Sequence, residues 1–196
     1  MRGLALCFFA LSIAAAELPV AECPAGKPEA VVILVRHADR DGELLNEKGW
    51  ERARALRDLV LGTFGRVDAV IATTVERTYQ TLEPLLEDRR VSRRGVAVHR
   101  FDPHDYDAVI ETIRRERARN DGKRPVVIVY AGHSDTVRPV LERLAPRSVR
   151  EHFAEWFPCD GGICHSDYDD VWVATWCAGA EPELRKAEYG EATPAH

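Results

Sequence analysis

Residues 30 to 40 read AVVILVRHADR. Ala30 to Val35 is a continuous apolar run with no alternation, the pattern of a strand buried on both faces. Arg36, His37 and Arg40 then follow within five residues. Charged groups at the mouth of a core strand are costly unless they have partners or work to do. A single stretch thus fixes a buried strand and marks its carboxyl end as a place where chemistry is expected.

The flanking sequence fits helices and strands around that strand. Asn46 to Leu61 is a helix candidate, with Asn46 as cap, Glu47 in the first turn, Gly62 as terminator and an apolar stripe of Ala53, Leu56 and Val60. Asp68 to Ala72 reads as a second strand and Glu76 to Asp88 as a helix interrupted by Pro84. Val96 to Val98 reads as a third strand. Asp105 to Arg119 reads as a helix with Val109 and Ile113 one turn apart. Val126 to Ala131 is another unbroken apolar strand, followed by a helix beginning near Pro139, because proline suits a first helical position. Val171 to Trp176 and Leu184 to Tyr189 read as late strands. Strands alternating with helices predict an α/β fold, a three-layer α/β/α sandwich with a mostly parallel central sheet. In such folds ligands bind beyond the carboxyl ends of the strands. RHADR at 36 to 40, TTVERTYQT at 73 to 81 and GHSDT at 132 to 136 all fall there.

The 196 residues suit one domain, and 45% hydrophobic with 30% charged residues is an ordinary globular composition, neither disordered nor fibrous. A formal net charge of −5 gives no bulk attraction for nucleic acid. The basic residues are 23 arginines and four lysines. Arginine suits bidentate oxyanion binding, although genome composition explains the same bias. Arg2, the apolar stretch Leu4 to Ile13 and Ala14-Ala15-Ala16 read as a signal peptide over residues 1–16, too short for a comfortable membrane span. A leader over 17–29, a domain over 30–190 and a tail over 191–196 complete the expected organisation. The expected location is therefore periplasmic or secreted, with no stable membrane anchor after cleavage.

Export makes disulfides the expected state of Cys23, Cys159, Cys164 and Cys177, while Cys7 leaves with the signal. Cys159 and Cys164 are close enough to close a small loop, which leaves Cys23 with Cys177. Four cysteines allow three pairings, and the sequence does not choose among them. A zinc site of Cys159, Cys164, His165 and Cys177 is the alternative, disfavoured by export and irregular spacing.

The ordered set Arg36-His37 after a strand, Arg77 opening a helix before Gln80-Thr81, and Gly132-His133-Ser134 after a second strand resembles the histidine phosphatase superfamily, the phosphoglycerate mutase-like group. LLNEKGWERARAL, residues 44 to 56, is similar to the helix that follows the nucleophile in that family, and LRKAEYG, residues 184 to 190, to the closing strand of small exported members with a GHSNT-type second histidine. The resemblance implies a phosphohistidine intermediate on His37, phosphate binding by Arg36 and Arg77, and charge stabilisation by His133. It implies a metal-independent phosphomonoesterase with no cofactor. Arg40 and Thr73 are further phosphate-binding candidates, and Thr74 a weaker one. Arg40 is equally placed to pair with Asp39 or Asp41.

The general acid matches neither family pattern cleanly. Asp102, in HRFDPHDYD at 99 to 107, ranks slightly above Asp135, with Asp105 next; each has a plain reading as a turn or capping residue. A missing acid would suit a good leaving group such as a phosphohistidine or pyrophosphate. The residues EWFPCDGGICHSDYDDVW, 155 to 172, fit either a disulfide-braced loop over the site or, more simply, a stabilised surface loop. The expected partner is a phosphorylated small molecule or an envelope phosphate. Three rival readings are a non-catalytic phospho-ligand binding protein, a phosphoglycerate mutase-like phosphotransferase and a small disulfide-braced interaction module.

Overall fold

The computed structural model describes residues 17–24, 26–177 and 181–192. In chain order they form β1 (Ala30–Arg36), β2 (Arg40–Asp41), β3 (Leu44–Leu45), α1 (Glu47–Phe64), β4 (Ala69–Thr73), α2 (Glu76–Glu87) and α3 (Arg89–Ser92). β5 (Ala97–Phe101), α4 (Tyr106–Arg117), β6 (Val126–Gly132), α5 (Val137–Leu144), α6 (Pro146–Glu151), α7 (Phe153–Trp156), β7 (Asp170–Trp176) and β8 (Glu183–Glu188) follow. Six strands make one sheet in the order β5-β4-β6-β1-β7-β8, and β2 pairs with β3 apart from it. β1, β4, β5 and β6 run parallel, and β7 enters antiparallel beside β1.

Helices cover both faces of the sheet. Val32, Leu34, Ile128 and Tyr130 pack toward α4 and α5, while Val31, Ile33, Val127 and Val129 pack toward α1 and α2. Every residue of β1 and β6 is buried, which is why neither strand alternates in sequence. The α/β/α sandwich expected from the pattern is the fold observed.

Several element boundaries differ from expectation. Gly62 lies inside α1, and the helix ends at Gly65, which takes φ +65° and donates its N–H to Leu61 O. Pro84 does not interrupt α2, because fully buried Leu82 and Leu85 hold the last turns against the core. α5 starts at Val137, two residues before Pro139. First-turn N–H groups have no intrahelical acceptor, so a proline there forfeits nothing. β5 runs on to Phe101 as a half-exposed edge strand, its polar His99 and Arg100 hiding the pattern.

Residues 17–24 lie against the body. Leu18 and Ala21 are buried, Ala21 N–H donates to Thr175 Oγ1 at 3.2 Å, and Cys23 is disulfide-bonded to Cys177. A second disulfide joins Cys159 to Cys164. These two bonds settle the pairing and overturn the zinc alternative, since neither bonded sulfur is a free thiolate. They fit an oxidising compartment. The expected signal peptide and the last four residues of the tail lie outside the described residues. Among the described residues no helix is long and apolar enough to cross a membrane.

Candidate active site

Three strand exits converge. Arg36 ends β1, Thr73 ends β4 and His133 follows β6, while Arg77 sits in the first turn of α2. His37 N–H donates to Gly132 O at 2.8 Å, tying the exits of β1 and β6 together. The His37 and His133 rings meet edge-on with centroids 5.3 Å apart. Arg77 Nη2 lies 3.4 Å from His133 Nδ1, and Thr73 Oγ1 lies 3.0 Å from His133 Nε2. Arginine only donates, so His133 Nδ1 accepts and Nε2 carries the proton to Thr73. Thr73 is thus a partner of His133 in this structure. Among the described residues, Arg36 Nε and Arg77 Nε are buried donors with no protein acceptor.

The segment after His37 is held from several directions. His37 Nδ1 lies 2.9 Å from Ala38 O and must donate there, which leaves the Nε2 lone pair free. Ala38 N–H donates to Thr81 Oγ1 at 2.9 Å. Asp39 receives Arg52 Nε at 2.6 Å in a pair whose arginine side chain is only 1% exposed, and Arg52 also donates to Tyr189 O at 3.1 Å. Asn46 caps α1 through Gly49 N–H and donates its own N–H to Asp39 O at 3.2 Å. Gly49 is required here because a Cβ would lie 1.9 Å from Asp39 O. The stretch LLNEKGWERARAL therefore clamps the loop that follows His37. A similar device shapes GHSDT: Thr136 Oγ1 accepts His133 N–H at 2.7 Å, and a Cβ at Gly132 would collide with Tyr130 and Thr136.

Burial and neighbouring cations set the charges. Burial holds His37 down at about 3, with Arg36, His133 and Arg77 adding to the shift against the Ala38 hydrogen bond. Burial and Arg77 hold His133 down at about 4, with Asp135 pulling the other way. Both rings are neutral at pH 7. Burial also lowers Arg36 and Arg77, with Arg40 acting in the same direction on each. Both remain cations. Arg40 itself is exposed and donates to Gly42 O at 2.7 Å, so it contributes positive field at the rim; Asp39, one of its expected partners, pairs with Arg52 instead.

The loop after Cys159 belongs to the site, which corrects the simpler reading of residues 155 to 172. Arg36 Nη1 donates to the carbonyls of Cys164, His165 and Asp167 at 2.9, 2.8 and 3.2 Å. The Tyr168 ring stacks 4.0 Å from the Arg36 guanidinium and 5.8 Å from the His37 ring. Sequence reasoning gave no role to Tyr168 or Arg52 and named Thr81 only within a motif. The signal for Tyr168 was its place just past a cysteine-bracketed turn.

The two acid candidates separate. Asp102 and Asp135 are both exposed; Asp102 accepts His104 N–H at 3.1 Å, a turn bond, and Asp105 caps α4 through Ala108 N–H. Asp135 follows the His133 turn and lines a cavity there. His104 bridges them, 3.9 Å from Asp102 and 3.8 Å from Asp135. Thr74 is exposed and offers its carbonyl to Arg100 at 3.0 Å. Among the described residues no cluster of histidine, cysteine or carboxylate side chains could hold a metal ion.

No protein-family model matches the chain, and no curated protein matches it in sequence. Solved structures do match in fold. A protein assigned as the phosphohistidine phosphatase SixA of Agrobacterium tumefaciens aligns at TM-score 0.54 and 18% identity, over 84% of this chain and 99% of that one. The protein histidine phosphatase SixA complexed with tungstate aligns at TM-score 0.55 and 15% identity, over 81% and 96%. Phosphoglycerate mutase from Plasmodium falciparum aligns at TM-score 0.54 and 15% identity, over 85% and 94%. The chain shares its fold with these phosphatases and with phosphoglycerate mutase.

Proposed function

We propose that the protein is a metal-independent phosphomonoesterase working through a phosphohistidine on His37. The observation that carries this reading is the pair of buried arginine donors without protein acceptors, Arg36 Nε and Arg77 Nε, beside two neutral histidines. A phosphoryl group is an anion that repels nucleophiles, so it must be neutralised and aligned before attack. Arg36 and Arg77 supply forked donors for its oxygens. His37 Nε2 attacks phosphorus, and the bond to the ester oxygen breaks. Negative charge brought in by the phosphoryl group offsets Arg77 and favours protonated His133, which then donates to a phosphoryl oxygen. Water attacks the phosphohistidine, releasing inorganic phosphate and regenerating neutral His37.

Asp135 is our choice for the acid that protonates the leaving oxygen, in place of Asp102. It stands next but one to His133 and lines the adjoining cavity, whereas Asp102 serves a turn. The partner class is a phosphorylated small molecule or envelope phosphate met outside the cytoplasm, a location the two disulfides support.

The test is hydrolysis of an activated aryl phosphate with EDTA present, beside His37→Ala. Metal-independent turnover that disappears in the variant is expected. Tight phosphate binding by folded protein without turnover would instead favour a binding protein.

A further inference from the structure

A cavity of about 310 Å³ opens between the His133 turn and the disulfide loop, lined by Ser134, Asp135, Arg138, Asp160, Ile163 and His165 among others. Two of its walls are tied to the proposed phosphate site, one by chain adjacency and one by a hydrogen bond. Ser134 and Asp135 follow His133 directly, and His165 gives its carbonyl to Arg36 Nη1 at 2.8 Å.

The loop holds one acid over the cavity. Asp160 and Gly161 have φ of +50° and +76°, and Gly162 N–H donates to Cys159 O at 2.8 Å. Two positive φ values in an Asp-Gly pair, closed by that bond, make a tight primed turn. The Cys159–Cys164 disulfide closes its base, and Arg138 Nη1 donates to Gly161 O. Arg138 is itself anchored by Glu142 at 3.3 Å.

We propose that this cavity is the leaving-group subsite and that it takes a neutral, polyhydroxylated group of single-sugar size, with Asp160 as a specificity determinant. The proposal rests on the phosphatase reading above. The volume is at the small end of ligand sites, which suits a small leaving group. The carboxylate of Asp160 disfavours an acidic leaving group such as a glycerate. The cationic leaving group it would otherwise attract is opposed by Arg138 and by the nearby Arg36, Arg77 and Arg40. Ser134, Asp135, Arg138, Asp160 and His165 put polar side chains on the lining beside Ile163 and Cys159, which suits a polar group better than an acyl chain. Paired acceptors with the Ser134 hydroxyl and the Arg138 donor suit hydroxyl groups, each of which both gives and takes a hydrogen bond.

The experiment compares kcat/KM for a hexose phosphate, phosphoglycerate and an aryl phosphate, in wild type and Asp160→Asn. Asparagine accepts the left-handed backbone, and Asp160→Gly, which does so freely, controls for the turn. Wild type is expected to prefer hexose phosphate over phosphoglycerate by at least about tenfold. Both variants should lower the hexose phosphate value about tenfold more than the aryl value, the worth of one hydrogen bond to a charged group. Aryl hydrolysis accompanied by a preference for phosphoglycerate, or by equal losses on both esters, overturns the subsite alone. Failure to hydrolyse any ester, the aryl phosphate included, overturns the phosphatase reading with it.

Discussion

Replacing Cys159 and Cys164 together by alanine should weaken phosphate binding rather than only soften the fold. The disulfide closes a sequence separation of five, and the loop it closes ends at Cys164, whose carbonyl, with that of the next residue His165, holds Arg36 Nη1. Closing a loop of that length removes about 2 kcal/mol of unfolded-chain freedom at 25 °C in the chain-entropy relation. Without the bond, that ordering falls on the ligand-bound state. The ceiling on the loss of phosphate affinity is therefore roughly thirtyfold. The same change lowers Tm by at most about 4–8 °C for a chain of this size. The assay is competitive inhibition of aryl phosphate hydrolysis by inorganic phosphate, read beside a thermal melt, with Cys23–Cys177 left intact. A rise in Ki is expected, together with a raised KM. An unchanged Ki with a lowered Tm would refute the reasoning, because the loop would then brace the fold without positioning Arg36.

Other perturbations address the histidines and their supports. Folded His37 and His133 sit at about 3 and about 4, below the ordinary value near 6.5, so the unfolded chain binds more protons as pH falls. Stability should be at its full value above about pH 6.5 and decline through pH 4 toward 3, and His37→Asn should flatten part of that decline in urea midpoints measured across the window. Thr81→Val removes the acceptor of the buried Ala38 N–H and should cost about 1–3 kcal/mol by denaturant melts. It should also lower kcat more than it raises KM, and an unaltered kcat would detach Thr81 from the positioning of His37. Asp135→Asn should slow hydrolysis of an alkyl phosphate far more than of an aryl phosphate, whose leaving group needs no proton. Equal effects on the two esters would remove Asp135 as the acid.

The fold was legible because its central strands are buried on both faces. AVVILVR and VVIVYAG carry no alternation, and the helices between strands declare the sandwich. Helix ends were harder: Gly62 and Gly65 both look like terminators, and the choice depends on how far α1 packs beyond Leu61. Arg36, His37, Arg77 and His133 were legible as a set because each lies at a strand's carboxyl end or within a few residues of it. Their supports were not. Asp39–Arg52 and Ala38–Thr81 join residues 13 and 43 apart, and no local pattern announces such pairs. Tyr168 reaches the site through Arg36, some 130 residues earlier in the chain, and the loop that brings it has no helical or strand period to read. Asp102 and Asp135 have similar sequence surroundings. The turn bond of Asp102 and the cavity beside the His133 turn distinguish them.

The most direct measurement is rapid acid-free quenching of the protein with a labelled aryl phosphate, followed by peptide mass spectrometry. A covalent mechanism requires one base-stable, acid-labile phosphoryl group on the peptide containing His37, accumulating in His133→Ala and absent from His37→Ala. Turnover with no phosphorylated peptide in any variant, or with the label on another residue, would contradict the phosphohistidine on His37.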